Sequence, residues 1–277
     1  MRSSAPLALP LATVFVACFV APLAVLVAMS LYAEPEMKTL SLAQYAKFLG
    51  DPFNLSILWG TLWLGVKATL VCLAFGYPLA WVAARLPARG QSALVFVVVL
   101  PILTSVVVRT FSWIVILGRQ GILNKLVLAL GLSGEPVRLL FTEAGVILVL
   151  AQVQMPLMVL PILTSLTRID PSLADASAAL GAGAWRTLWR VTLPLSLPGV
   201  VAGSILTYAA CVTAFITQTL IGGARLIYMP LHVYQQAVGA NNWPFAAAIS
   251  VIFMVAVLAV VGFLGQLDRA RGGVTSG

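Results

Sequence analysis

Charge is what this chain has least of. Only 9% of its 277 residues are Asp, Glu, Lys or Arg, where a soluble domain carries about 25%. Histidine is nearly missing, with His232 alone, so metal sites and histidine-based catalysis have no support. Cysteine is as scarce. Cys18, Cys72 and Cys211 lie in apolar runs without the spacing of a zinc site or a disulfide framework, and are read as core residues. No GxxxxGK[ST] phosphate loop occurs, so ATP is not held by that device. No paired carboxylates fall within an apolar run, which argues against a proton-coupled carrier working alone.

What fills the chain instead is apolar sequence: 61% hydrophobic residues and a mean hydropathy of +1.05. This predicts an all-α, polytopic membrane protein built as one transmembrane domain over 1–277. Six runs are long enough to cross about 30 Å of hydrocarbon. They are placed near Leu7–Tyr32, Leu55–Ala84, Ser92–Leu117, Ala144–Leu166, Leu195–Ile221 and Pro244–Gln266. The first is too long for a signal-peptide core and is read as an uncleaved span. Ile122–Leu130 is apolar but too short to span, and is read as a surface helix. The hexapeptide LPILTS occurs at Leu100–Ser105 and Leu160–Ser165 without matching flanks, which is read as coincidence; each copy puts a proline in a span.

The net charge of +8 then speaks to topology and lipid contact, and a nucleic-acid partner is not expected. With a cytoplasmic N-terminus, short inner segments hold Arg2, Arg85, Arg89, Arg168, Arg186, Arg190, Arg269 and Arg271. The outer loops hold Lys38, Lys47, Arg119, Lys125, Arg138 and Arg225. The positive-inside rule therefore favours both termini in the cytoplasm.

Residues 167–194 are the longest ordered break between spans. Asp170 can cap a helix whose first position is Pro171, and Gly181 is a natural stop. Trp185, Leu188 and Trp189 then share one face while Arg186 and Arg190 share another. Two short helices outside the bilayer are expected, either resting on lipid headgroups or plugging into a partner protein.

Polar groups inside spans mark a possible pathway, since they are costly in lipid. Candidates are Lys67 in the second span, Arg109 and Trp113 in the third, and Gln152 in the fourth. Tyr208, Phe215 and Gln218 join them from the fifth, where Thr207, Ala210, Cys211, Ala214 and Gln218 fall on one helical face. That face lines a passage or packs tightly on a neighbour.

Asp175-Ala176-Ser177, three residues, Gly181, nine residues, and Val191-Thr192-Leu193-Pro194 resemble the EAA signature of ABC importer permeases, E-A-A, three residues, G, nine residues, I-x-L-P. The spacing is complete. The departures are Asp for Glu, Ser for the second Ala and Val for Ile. Gly76-Tyr77-Pro78 with Leu86-Pro87, Val108 to Trp113, Gly121 to Asn124, Gly222-Gly223 and Asn242 to Phe245 are similar to the spermidine/putrescine-type subfamily. The resemblance implies a six-span type I permease of a bacterial inner membrane, non-catalytic, paired with a second permease. It also implies two ATPase subunits inside, which bind the ATP and Mg²⁺, and a solute-binding protein outside. Asp175, Ala176, Ser177, Gly181, Val191, Leu193 and Pro194 would belong to the coupling helix that docks in the ATPase. The implied cargo is a polyamine, with an amino-acid derivative or small organic anion as the alternative. An ATP-independent secondary carrier is the reading from another class.

Overall fold

The computed structural model describes residues 13–131 and 133–272, and it is helical. Arg2 and the start of the first expected span lie outside the described residues, as does the tail beyond Gly272. The only β pairing among the described residues is an isolated bridge between Tyr32 and Leu40. Five stretches are long and apolar enough to cross a membrane: Thr13–Ser30, Pro52–Ala83, Val106–Ala129, Ala184–Val212 and Trp243–Gln266. A bent pair, Glu143–Val153 with Met155–Leu166, makes a sixth.

Contacts divide the chain into two units. One contains residues up to Trp59 together with Met229–Ala256, and the other contains Gly60–Tyr228 and the residues from Val257. In the first unit, helix α1 (Thr13–Ser30) opens a π-turn at Val16–Val20, immediately before Pro22. A proline ring clashes with the carbonyl four residues back, and a wider turn relieves that clash. Helix α2 (Ala43–Gly50) is tied back by a Ser30–Tyr45 hydroxyl pair at 2.6 Å and by Gln44, whose amide donates to the Ala33 carbonyl at 2.6 Å. Asp51 caps helix α3 (Pro52–Ala83), accepting from the Phe53 N–H at 2.9 Å and the Asn54 amide at 3.1 Å.

In the second unit, helix α4 (Ala88–Leu103) ends in a 3₁₀ turn at Leu100–Leu103, and the chain extends at Thr104 and Ser105 before helix α5 (Val106–Leu117). The third expected span, Ser92–Leu117, is therefore two helices. Pro101 tightens the turn, and its free carbonyl accepts from Thr104 and from the Arg109 guanidinium. Helix α6 (Ile122–Ala129) follows as a separate short element. Buried Asn124 clamps the next loop, exchanging bonds of 3.1 and 2.8 Å with Val137.

Helices α7 (Glu143–Val153) and α8 (Met155–Leu166) meet at a 47° bend on Gln154. Pro156 has no N–H to give the Gln152 carbonyl, so the ladder breaks there. Helix α9 (Pro171–Ala179) follows, and then α10 (Ala184–Val212), a continuous helix with a π-turn at Leu188–Thr192 just before Pro194. The second helix expected outside the bilayer and the fifth span are thus one rod, where separate elements were expected.

The fifth expected span, Leu195–Ile221, is also broken. Ala214 takes φ −74 and ψ 66, and the Phe215 N–H reaches back to the Thr213 carbonyl at 2.8 Å, an inverse γ-turn. Helix α11 (Phe215–Gly222) restarts beyond it, so the expected face from Thr207 to Gln218 is not continuous. Helix α12 (Met229–Tyr234) and helix α13 (Trp243–Gly272) complete the chain. Cys72 and Cys211 are buried as expected, but Cys18 is exposed on α1.

The α8–α10 pair is the tightest seam. Gly199 and Gly203, four apart on α10, lie directly on α8: a Cβ at Gly199 would meet the Pro161 carbonyl oxygen at 2.6 Å. Such small-xxx-small spacing lets helix backbones touch, and dispersion then holds them where no hydrophobic gain exists between helices in lipid.

Candidate functional sites: a protruding helix and a cavity at the helix breaks

Helix α9 is built by local rules. The Asp170 carboxylate accepts from the Ser172 N–H at 2.9 Å, and this hydrogen bond holds its pKa below the usual carboxylate value. At the other end Gly181 adopts φ +79. Its N–H bonds the Ala178 carbonyl at 2.9 Å and the Ala182 N–H bonds the Ser177 carbonyl at 3.1 Å, a complete Schellman closure. Asp175 and Ala176 are exposed, while Ser177 is half-buried because its hydroxyl pairs with that of Thr187 at 2.9 Å. That bond ties α9 to the start of α10. Val191 and Leu193 are half-buried and Pro194 is exposed along the π-turn and the turn after it. Trp185 and Trp189 stack edge-to-face at 5.8 Å and stay exposed, as do Leu173 and Leu180. The loop therefore offers a capped, small-residue helix with apolar and aromatic rims to whatever lies beyond it.

The pathway candidates separate into four groups. Arg109 and Phe215 come together in a cavity of about 490 Å³, joined by Gln154, Thr213 and Thr217. Its wall is formed where α7 meets α8 and where α10 meets α11, and Arg109 is bonded to the break after α4. Thr213 and Thr217 were missed because no proline or glycine announces the break at Ala214, and Gln154 was missed although Pro156 lies beside it. Trp113 and Gln152 form a pair of their own, the indole N–H donating to the amide oxygen at 3.0 Å.

Lys67 pairs with Glu143 at 2.8 Å, their side chains 34% and 44% exposed, and lies 5.8 Å from the Trp63 ring centroid. Glu143 sits in the first turn of α7, where the helix dipole favours a carboxylate. Next to it, burial and then the Glu143 charge push the Tyr228 hydroxyl up to about 12. The fourth group faces no open space. Gln218 and Tyr208 are each only 1% exposed. The Gln218 amide donates to the Cys211 and Val212 carbonyls at 2.7 and 3.2 Å, the groups freed by the Ala214 turn. Gln218 thus satisfies the Val212 carbonyl and reinforces the Cys211 carbonyl, which otherwise has only the Ala214 N–H at 3.4 Å.

The profile of the family described as "Binding-protein-dependent transport system inner membrane component" matches residues 1–272. The spermidine/putrescine transport system permease protein PotB of Salmonella typhimurium (strain SL1344) is 34% identical over 215 residues, covering 78% of this chain and 75% of the relative. The protein of the same name in Escherichia coli (strain K12) is 33% identical, covering 78% of each chain. A solved bacterial ABC transporter involved in the import of the acidic polysaccharide alginate superposes with a TM-score of 0.79. It covers 96% of this chain and 94% of its own at 18% identity, so that likeness is one of fold. With a family match over almost the whole length and a third of positions shared with two permeases, this chain belongs to the binding-protein-dependent transport system inner membrane components, the permease subunits of ABC importers.

Proposed function

We propose that this chain is one permease half of an ABC importer for polyamines such as spermidine or putrescine. The observation that carries the cargo is the 34% identity to PotB over 78% of the chain. On this reading a second, similar permease completes the pathway. Two ATPase subunits bind and hydrolyse ATP with Mg²⁺ on the cytoplasmic face, and a solute-binding protein delivers the cargo outside. Both termini are then cytoplasmic, which puts α9 on the ATPase side. Its exposed small residues and capped ends suit insertion into a protein groove, and the Ser177–Thr187 bond passes a push on α9 to α10. Because α10 is seated on α8 through Gly199 and Gly203, the two spans flanking the loop move as one body.

Arg109 carries a positive charge into the cavity, with no acid among the residues lining it. A polycation crossing there needs carboxylates, and on this reading the second permease supplies them. The same guanidinium favours a second reading with unchanged architecture: an amino-acid derivative or a small organic anion as cargo.

The test is uptake of radiolabelled spermidine by cells expressing the chain with its neighbouring transporter subunits. Unlabelled putrescine, amino acids and organic anions serve as competitors. Uptake should follow ATP and survive an uncoupler, and Asp175→Arg or Gly181→Asp should abolish it while leaving the permease in the membrane. Competition by an anion and not by putrescine would transfer the cargo to the second reading. Uptake that collapses with the proton gradient would point to a secondary carrier, and wild-type uptake in both variants would remove the coupling role of α9.

A further inference from the structure

Among the described residues, one ion pair joins two spans. Lys67 lies in the middle of α3, and its ammonium meets Glu143 Oε1 at the start of α7 at 2.8 Å. The second carboxylate oxygen, Oε2, has no hydrogen-bond partner among the described residues. Trp63, one helical turn before Lys67, is exposed, and its ring centroid lies 5.8 Å from the same ammonium. A cation at that point has both a carboxylate and an aromatic ring within reach.

The packing of α3 does not depend on this pair. Leu64 and Ala68, within a turn of Lys67, belong to one buried apolar cluster with Val146, Val149 and Leu150 of α7. On the same stretch, a Cβ at Gly65 would collide with Val212 and Tyr208 of α10. A pair this exposed adds little to such packing. Its open side does not suit lipid either, since charges within spans are costly there and turn toward protein or a water-filled cavity. On the orientation proposed above, the start of α7 lies at the outer face, where a binding protein delivers cargo.

The site matches the end of an alkylamine. Lys67 is itself one, an ammonium on a flexible four-carbon stem. The ammonium of another aliphatic amine can take its place, keep both contacts and leave the charge in the site unchanged. Because the pair is weak, Lys67 yields with little resistance. An anion would instead have to displace Glu143, which sits in the first turn of α7 where the helix dipole favours a carboxylate. The mobile partner is the cation, so the exchange selects cations.

We propose that Glu143 and Trp63 form an ammonium seat at the outer mouth of the pathway, filled at rest by Lys67 and during transport by a terminal ammonium of a polyamine. Lys67 is then a tethered competitor: it keeps the carboxylate paired between cargoes and limits how tightly the seat holds one. Neither Glu143 nor Lys67 lines the Arg109 cavity, so the seat is a separate point on the route. This inference rests on the polyamine reading.

The test is equilibrium binding of radiolabelled spermidine to the full transporter complex in nanodiscs without its binding protein, alongside uptake with the binding protein present. Glu143→Gln should weaken binding about tenfold. Trp63→Leu should weaken it about threefold, with Trp63→Phe close to wild type. Lys67→Met should act in the opposite direction and tighten binding about threefold, because the competitor is gone. A pair with only a structural role would shift binding the same way in Lys67→Met and Glu143→Gln, and that result would overturn the proposal. Lys38→Gln removes a positive charge from an exposed pair elsewhere and should change nothing; tightening equal to that of Lys67→Met would reduce the effect to net charge and overturn the seat. Should Glu143→Gln fail to assemble, tightening in Lys67→Met without tightening in Lys38→Gln still decides. Spermidine uptake by wild type with unchanged binding in every variant would remove the seat and leave the polyamine reading standing. No spermidine uptake by wild type would remove both.

Discussion

Replacing Gly199 by Ala tests the α8–α10 seam directly. The new Cβ would stand 2.5 Å from Ser165 Cβ, 2.6 Å from the Pro161 carbonyl oxygen and 3.0 Å from Ile162 Cα. Two of those three atoms are backbone and cannot swing aside. Carbon contacts relax at about 3.5–4.0 Å, so the helices must part by about 1 Å. Overpacking of this kind costs about 1–3 kcal/mol, and the parted seam loses dispersion along its length. Against this, Ala gains about 1 kcal/mol over Gly in helix propensity. The net expectation for Gly199→Ala is a loss of about 1 kcal/mol, and up to about 2 kcal/mol if the seam parts along its length. At Gly203 the nearest atom is the Met158 carbonyl oxygen at 2.9 Å and the next is its flexible sulfur at 3.1 Å, so Gly203→Ala should lie near neutral. Gly262 has nothing within 4 Å, and Gly262→Ala should gain stability. Reversible unfolding of the three variants in mixed micelles reads this order. If Gly199→Ala proved as stable as Gly262→Ala, the two spans would not be joined at this seam.

Three further outcomes follow from the same structure. Gln218→Leu keeps the volume but strands the Val212 carbonyl and leaves the Cys211 carbonyl only the long bond from the Ala214 N–H at 3.4 Å, and should cost about 1–3 kcal/mol in the same titration; an unchanged midpoint would mean that water reaches the break. His232 is buried, with Nε2 2.9 Å from the Asn54 side-chain oxygen and its ring edge-on to Phe53. Burial holds its pKa below 6.5, against the opposing pull of Asp51. A base whose pKa falls on folding contributes stability above its unfolded value and loses it as pH drops through that value. Stability should therefore fall as pH drops through the ordinary histidine range near 6.5, and His232→Gln should flatten that dependence in a pH-resolved melt. Finally, a double-mutant cycle of Lys67→Met and Glu143→Gln should give a coupling below about 1 kcal/mol, because the pair is partly exposed. A coupling of several times that size would place the pair in a far drier setting.

How much of this was legible in the sequence depended on the range of the cause. The caps of α9 were legible because Asp170, Pro171 and Gly181 act within a turn of where they sit. The all-helical membrane architecture was legible because composition alone demands it. The breaks were not. Pro101 and Pro156 announced kinks, but the turn at Ala214 contains neither proline nor glycine and stands because Gln218, seven residues past Cys211, returns to hold the freed carbonyls. A reading by helical faces took Gln218 for a pathway residue, since its polarity was visible and its partner was not. Lys67 was read as a pathway candidate without its partner for the same reason: Glu143 is 76 residues away in the chain.

The breaks matter because of where they fall. Each long rod leaving the α9 loop ends at one of them: α8 begins at Gln154, and α10 stops at Thr213. Both residues line the Arg109 cavity. The rods are joined along their shared length, by Gly199 against Pro161 and Ser165 and by Gly203 against Met158, so a displacement applied at α9 cannot be absorbed by sliding one along the other without the backbone clash described above. On the proposed reading, what passes the π-turn at Leu188–Thr192 arrives at the far ends, where the hydrogen-bond ladders are interrupted again and bending costs little. A lever needs a stiff arm and a soft joint. Here the stiffness is supplied by glycine-mediated packing, and the softness by a proline at one joint and an inverse γ-turn at the other.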